Sequence, residues 1–506
     1  MDDHDATTPP VEWLDDRSAG YPGDYPGGEE VPVVAWPRLW RERLGRRVRS
    51  SDRYRRWVLW TVLAGLFATG FTITILAVSL GTVARDVHSS PTALTWIVTG
   101  PLLTLALTMP LFGKLGDLYG HRRVYLLGFA GFTVAAALTA LAVDGPTLIA
   151  IRVVGSIPGA ATGPASMALI MQAFPEEDRV KAMGWWSLVG AGAPVIGLVA
   201  GGPLVDAFGW RWIFVVQAPI SLVALVAAAV VLHETPRRVR EPIDFAGAAV
   251  LAVATVSALL ALSLGHGMGW ASPVVLGLFA LSPLAVVGFV AIERAAPHPL
   301  LPLEFFARRN FTASLIAQFA SNFAYMGGFI ITPLLVESIF GFSVAQTSVA
   351  MVCRPLSFSL SAPVAGYLAV RVGERKASVA GTTLVVVSMG CFAIAAAQES
   401  LAFVFVALVL SGLGLGASSP SLISSVANAV DARSLGVANG AQQMVTQIGV
   451  VAGIQVLSTI QSGSHTAGPY VLAYVIGGLV AVVGIVGAAS VRSADRRPSL
   501  RVARAA

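Results

Sequence analysis

The stretch from Gly113 to Arg123 places one carboxylate, Asp117, among Lys114, His121, Arg122 and Arg123, with glycines at Gly113, Gly116 and Gly120. Glycines at this spacing allow a tight turn between two closely packed helices. A carboxylate held among cationic side chains and helix ends makes a contact that can form and break. The competing reading is a solvated turn that only sets topology. Two arginines, Arg152 and Arg354, stand inside long apolar runs. A cation in hydrocarbon costs at least ~2.5–3.5 kcal/mol, so an intramembrane arginine marks a functional position unless it reaches the interface from a helix end. Arg354 precedes Pro355, which interrupts a helix and frees carbonyls. A cavity-facing Arg354 would favour anionic or neutral ligands; packing against a backbone carbonyl is the alternative.

Other polar groups share one helix face. Gln318, Asn322, Tyr325 and Phe329 follow one another at helical steps, and Gln443 and Gln447 stand one turn apart. With Thr72, Thr74 and Phe358 they form a candidate mixed polar and aromatic cavity, for which interhelical packing is the competing account. No His-Glu-x-x-His metal pattern occurs, and the three lysines, Lys114, Lys181 and Lys376, are not followed by Ser or Thr as a phosphate loop requires. The chain reads as neither an enzyme nor an ATP-driven pump, with no catalytic or metal residues and no bound cofactor.

These residues must be positioned by membrane helices. The 506 residues are 55% hydrophobic and 12% charged, with mean hydropathy +0.73, where a soluble chain carries about a quarter charged residues. Fourteen apolar segments are legible between residues 57 and 491. Of the 34 Lys and Arg, all but Arg85, Arg211, Arg152 and Arg354 fall in the tails and alternate loops on one side. That asymmetry puts both termini in the cytoplasm and explains the net charge of +6 without nucleic acid. Cys353 and Cys391 both lie in apolar spans and read as packing residues.

Residues 1–56 read as a cytoplasmic tail, acidic and Pro/Gly-rich up to residue 37; residues 492–506 form a second tail. Between them lies a repeat. Residues 110–123 resemble residues 363–376 at a constant offset of 253, and Pro164 and Gly184 find partners in Pro420 and Gly440 at an offset of 256. The organisation is therefore a six-helix bundle over 57–232, two inserted helices within 233–311, and a second six-helix bundle over 312–491. Two such repeats with a site between them are a transporter architecture.

On these motifs the chain resembles the major facilitator superfamily, and most of all its fourteen-helix drug:proton antiporter branch. The resemblance implies an all-α, polytopic membrane fold in the cytoplasmic membrane of a bacterium. Its loop motif is matched by Gly113, Leu115, Asp117, Gly120, Arg122 and Arg123. Its helix 4 arginine is matched by Arg152, followed by Gly155 and Ser156 instead of Gln-Gly. Its helix 5 antiporter motif keeps Gly197, Gly201 and Gly202, with Ala193 and Leu198 in place of a glycine and a proline. The resemblance implies a gate and coupling set of Gly113, Asp117, Gly120, Arg122, Arg152, Gly197, Gly201 and Gly202. It implies proton-coupled efflux of small amphipathic compounds, by a monomer in the lipid bilayer, with the proton gradient as energy source.

The family's helix 1 aspartate is absent; Thr72 holds its place. No Asp, Glu or His sits mid-span, leaving Asp117 and Glu337, then Asp86 and Asp206, as candidate proton carriers. The other readings are a dedicated exporter of one endogenous metabolite, lipid or antibiotic, and a membrane scaffold or sensor.

Overall fold

Apolar stretches broken by Gly, Pro and short polar turns fold into helices because, in lipid, each backbone N–H and C=O must be satisfied within its own segment. The computed structural model describes residues 53–78, 83–84, 86–87, 89, 96–235, 244–461 and 466–492, and every regular element among them is helical. The tails at 1–52 and 493–506, and Arg85, lie outside the described residues.

The helices are α1 (Tyr54–Val78), α2 (Trp96–Tyr119), α3 (His121–Ala140), α4 (Gly145–Gly159), α5 (Thr162–Ala173), α6 (Glu176–Phe208) and α7 (Arg211–Val231). Then come α8 (Phe245–Met268), α9 (Pro273–Ala295), the short α10 (Glu304–Ala307) and α11 (Arg309–Ser338). The chain ends with α12 (Val344–Met351), α13 (Cys353–Val372), α14 (Glu374–Ala397), α15 (Leu401–Asn428), α16 (Leu435–Gln461) and α17 (Ala467–Ser490). Eleven spans among the described residues are long and apolar enough to cross a membrane by length and composition. Large apolar side chains such as Leu127, Leu284, Val287, Leu479 and Val486 stand exposed on the outside, a surface that suits lipid and not water.

Pro355 has the effect its chemistry requires. It sits in the first turn of α13, and the rod breaks just ahead of it, at Val352 between α12 and α13. A tightened turn at Ala160–Ala161 likewise separates α4 from α5.

The two largest apolar cores among the described residues lie one among α1, α3, α5 and α7 around Tyr125, Phe129 and Met167, the other among α11, α14, α15 and α17 around Phe392 and Tyr474. The helices that bridge them are α2 with α16 and α13 with α6, and both seams are built on glycine. A Cβ on Gly113 would stand 2.2 Å from the Gly436 carbonyl oxygen, and one on Gly440 would stand 2.7 Å from that of Met109. In the other seam, a Cβ on Gly366 would stand 2.7 Å from the Val180 carbonyl oxygen and one on Gly184 would stand 2.7 Å from that of Ala362. The partners correspond at the offsets of 253 and 256 seen in the sequence, so the repeated segments occupy equivalent places. The turn glycines that follow, Gly120 and Gly373, share a positive φ of 98° and 94°.

The pair α8–α9 is less detached than its insertion between the repeats suggests. Thr255 of α8 lies 3.9 Å from the Met444 sulfur of α16, and the fully buried Lys114 of α2 donates to the Pro299 carbonyl beyond α9 at 2.9 Å.

Gly436→Ala drives a methyl group into a backbone carbonyl that cannot step aside, and should destabilise the detergent-solubilised protein by about 1–3 kcal/mol. Gly390→Ala, on α14 with nothing within 4 Å of its Cβ position, should instead be neutral or stabilise by about 0.5–1 kcal/mol. Thermal unfolding of the two variants beside the parent checks both; equal midpoints would refute the packing role of the seam.

Candidate functional site

Asp117 lies on the last turns of α2 and is 2% exposed. Its two oxygens accept from the backbone N–H groups of Gly436 and Val437, each at 2.9 Å. Those are unsatisfied donors of the first turn of α16, where the helix dipole is positive. The His121 imidazole Nε2 adds a third contact at 3.1 Å. Gly116 makes this possible, since a Cβ there would stand 2.3 Å from His121 Nδ1. Bonds of this charge-assisted kind contribute about 1.5–3 kcal/mol each, so the group forms a latch across the α2–α16 seam.

The latch differs from the sequence expectation in its cation. Arg122 turns away and donates to the Ala229 carbonyl at the end of α7 at 2.8 Å, while Arg123 pairs with Glu234 at 3.4 Å. Gly120 keeps its place for a different reason: a Cβ there would stand 2.2 Å from Glu234 Oε1. The equivalent α6–α13 seam has no latch of this kind. Val370 replaces Asp117 and packs on Val180, Ala369 and Ala377, and Glu374, in the place of His121, accepts from Ser424 at 2.9 Å.

Above the latch a cavity of about 280 Å³ opens among α1, α2, α3, α4 and α6, closed on one side by Gln443 of α16. Arg152 lines it, with Gly155 and Ser156, and its guanidinium lies 5.8 Å from the Phe214 ring behind it. Leu102, Leu105, Phe132 and Trp186 provide apolar walls.

The remaining expected cavity residues lie elsewhere. Thr72 is buried and accepts from Gln217 Nε2 of α7 at 3.2 Å, so it is committed to a helix contact and not to the cavity. Gln318 and Asn322 bond to each other along α11 at 3.1 Å. Arg354 does not face the cavity. It is fully buried, donates to the Tyr325 carbonyl, and lies 4.0 Å from the Tyr325 ring centre and 5.8 Å from that of Phe329. Phe358 packs edge-on against Tyr325 at 6.0 Å. The aromatic face on α11 is thus an arginine cage, held by cation–π attraction. Gln447 is half-buried on α16 outside the cavity lining.

Gly197, Gly201 and Gly202 lie along α6. The surroundings of Gly201 and Gly202, and the side chains of Thr74 and Asp206, are outside what the structure describes. Asp86 is held by Arg211 and by Trp210 Nε1, the latter at 2.8 Å, while Glu337 is half-buried at the end of α11.

Sequence reasoning missed one buried acidic site. Glu293 Oε1 accepts from Leu300 and Leu301 N–H at 3.1 and 3.2 Å, fixing the loop that receives Lys114. Its position at the end of an apolar run was the available signal.

A membrane-crossing helical body with glycine seams around an apolar cavity defines a polytopic transporter-type bundle. A profile of the Major Facilitator Superfamily matches residues 61–454 and 314–506, and the chain belongs to that family. It is 30% identical over 82% of its length to the tetracenomycin C resistance and export protein of Streptomyces glaucescens, covering 77% of that protein. It is 29% identical over 79% of its length to the multidrug transporter protein MdtP of Bacillus subtilis, covering 74% of it. Against the puromycin resistance protein pur8 of Streptomyces alboniger it is 29% identical over 83% of its length and 84% of the relative. The fold is also that of the human organic anion transporter MFSD10, with a TM-score of 0.63 at 17% identity over 86% of this chain and 99% of the other.

Asp117→Asn keeps the shape but cannot accept from both N–H groups with a full charge. Hydrogen exchange at the first turn of α16 should quicken by about tenfold or more, as expected for loss of about 1.5–3 kcal/mol. Exchange measured on the reconstituted protein checks this, and unchanged protection at residues 435–438 would show that the latch is not closed in the membrane.

Proposed function

We propose that this protein is a secondary active exporter of small amphipathic compounds, working by alternating access in the cytoplasmic membrane of a bacterium. The observation that carries the reading is the cavity behind the Asp117 latch, bounded by helices of the first repeat on one side and by Gln443 of the second on the other. In this reading the chain crosses the membrane fourteen times with both termini in the cytoplasm. The bundles 57–232 and 312–491 rock about the shared cavity, and residues 233–311 brace α2 and α16. The relatives named for resistance to tetracenomycin C and puromycin and for multidrug transport support export as the direction. Two of them are named for single antibiotics, and that favours a narrow substrate range as the second reading.

The latch has to open for the cavity to reach the cytoplasm. With the backbone donors of α16 and His121 converging on it, Asp117 is the group whose protonation would release the seam, because a neutral carboxyl gives up its attraction for the helix N-terminus. Glycines at Gly113, Gly436 and Gly440 let the freed helices slide without side-chain interlocking. The proton gradient is the energy source this arrangement suits.

The test is export from proteoliposomes under an imposed pH gradient. Efflux should follow the gradient and fall at least tenfold in Asp117→Asn, and export that survives complete collapse of the gradient would refute proton coupling. Cysteine labelling of residues 240 and 270 from outside intact cells checks topology: 270 should label and 240 should not.

A further inference from the structure

Arg152 is the one charged residue lining the cavity among the described residues, and it forms no hydrogen bond or ion pair there. The hydroxyls around it are already committed as donors. Thr69 donates to Leu66, Thr139 to Ala135, Ser156 to Val153 and Thr162 to Gly159, all at 2.6–3.0 Å. Trp186 Nε1 is likewise spent on Ser166 at 3.1 Å. The free donors facing the cavity are therefore the guanidinium of Arg152 and the amide of Gln443, on opposite walls. Among the described residues no carboxylate lines the space, and Thr72, at the position where the family carries an aspartate, is tied to Gln217.

A half-buried cation within a membrane span and without an ionic partner is a costly arrangement. A ligand that brings the missing negative charge or a strong acceptor relieves that cost. A ligand that brings a second positive charge adds to it. A guanidinium presents a planar fork of donors that matches carboxylates and sulfonates in two bonds at once.

Resting on the exporter reading above, we propose that the cavity selects anionic and acceptor-rich amphipaths, with a planar apolar body between Phe132 and Trp186 and an acidic end on Arg152, and rejects organic cations. The role that Arg354 was expected to play thus falls to Arg152, since the Arg354 guanidinium is enclosed by Tyr325 and Phe329.

Three probes with one ring system and different charge test this: naphthalene-2-sulfonate, 2-naphthol and 2-naphthyltrimethylammonium. Each is dialysed to equilibrium against the full-length protein in phosphatidylcholine nanodiscs, with empty nanodiscs as the blank. The sulfonate should bind at least tenfold more tightly than the cation, with the naphthol between them. Arg152→Gln should lower sulfonate binding to the level of the naphthol, while a circular-dichroism spectrum and thermal midpoint matching the parent's show that the variant is folded. Arg152→Lys should keep part of the preference. Equal or tighter binding of the cation overturns the proposal, as does an unchanged sulfonate affinity in Arg152→Gln, or the absence of saturable binding by all three. If the Gln variant does not fold, the ranking of the three probes on the parent protein still decides. Arg152-dependent binding of the sulfonate without gradient-driven movement in proteoliposomes would refute the exporter reading and leave the selectivity standing.

Discussion

A carboxylate on one helix closes over the open N-terminus of another, and much of this structure depends on that contact. Asp117 can reach Gly436 and Val437 only because α2 and α16 lie backbone to backbone, and they do so only because Gly113, Gly436 and Gly440 lack side chains. Close approach removes interlocking side chains that would resist sliding, and it leaves the seam held by a few directional, charge-assisted bonds. Such a seam is strong when the geometry is intact and weak once one charge is lost. The same two helices reach the cavity, through Met109 of α2 and Gln443 of α16.

The second seam has the same backbone and a different chemistry. Val370 stands where Asp117 would be, so apolar packing takes the place of the carboxylate contact between α6 and α13, with Lys181 lying over the Tyr367 ring beside it. The pseudo-symmetric body is thereby made asymmetric: an ionisable group stands at one seam and an apolar side chain at the equivalent place in the other. The braces on α2 fit the same division. Lys114 anchors α2 to the loop after α9 on one face while Asp117 anchors it to α16 on another.

The two arginines of the apolar spans divide in the same manner. Arg354 donates through one nitrogen to the Tyr325 carbonyl and is otherwise enclosed by aromatic faces, with its Nε and Nη1 unbonded. Arg152 faces open space with only a ring behind it. Both are apolar-run arginines in sequence; three rings surround the Arg354 guanidinium, while one ring lies near that of Arg152, which opens on the cavity.

The amino-acid sequence determined the all-helical class, the apolar segments, the repeat and the turn glycines, because each is written in local periodicity or in a backbone conformation that only glycine adopts at no cost. It also singled out Asp117 and Arg152. Which partner each one meets was decided by tertiary structure. His121 and two backbone N–H groups replaced Arg122 at Asp117 because the α3 turn aims Arg122 at α7. Gln318, Asn322 and Tyr325 share a helix face as their spacing requires, yet that face meets the interior of its own bundle and not the cavity. Spacing along one helix fixes which residues lie together; the rotation of that helix among its neighbours, set by packing over the whole bundle, fixes what they face.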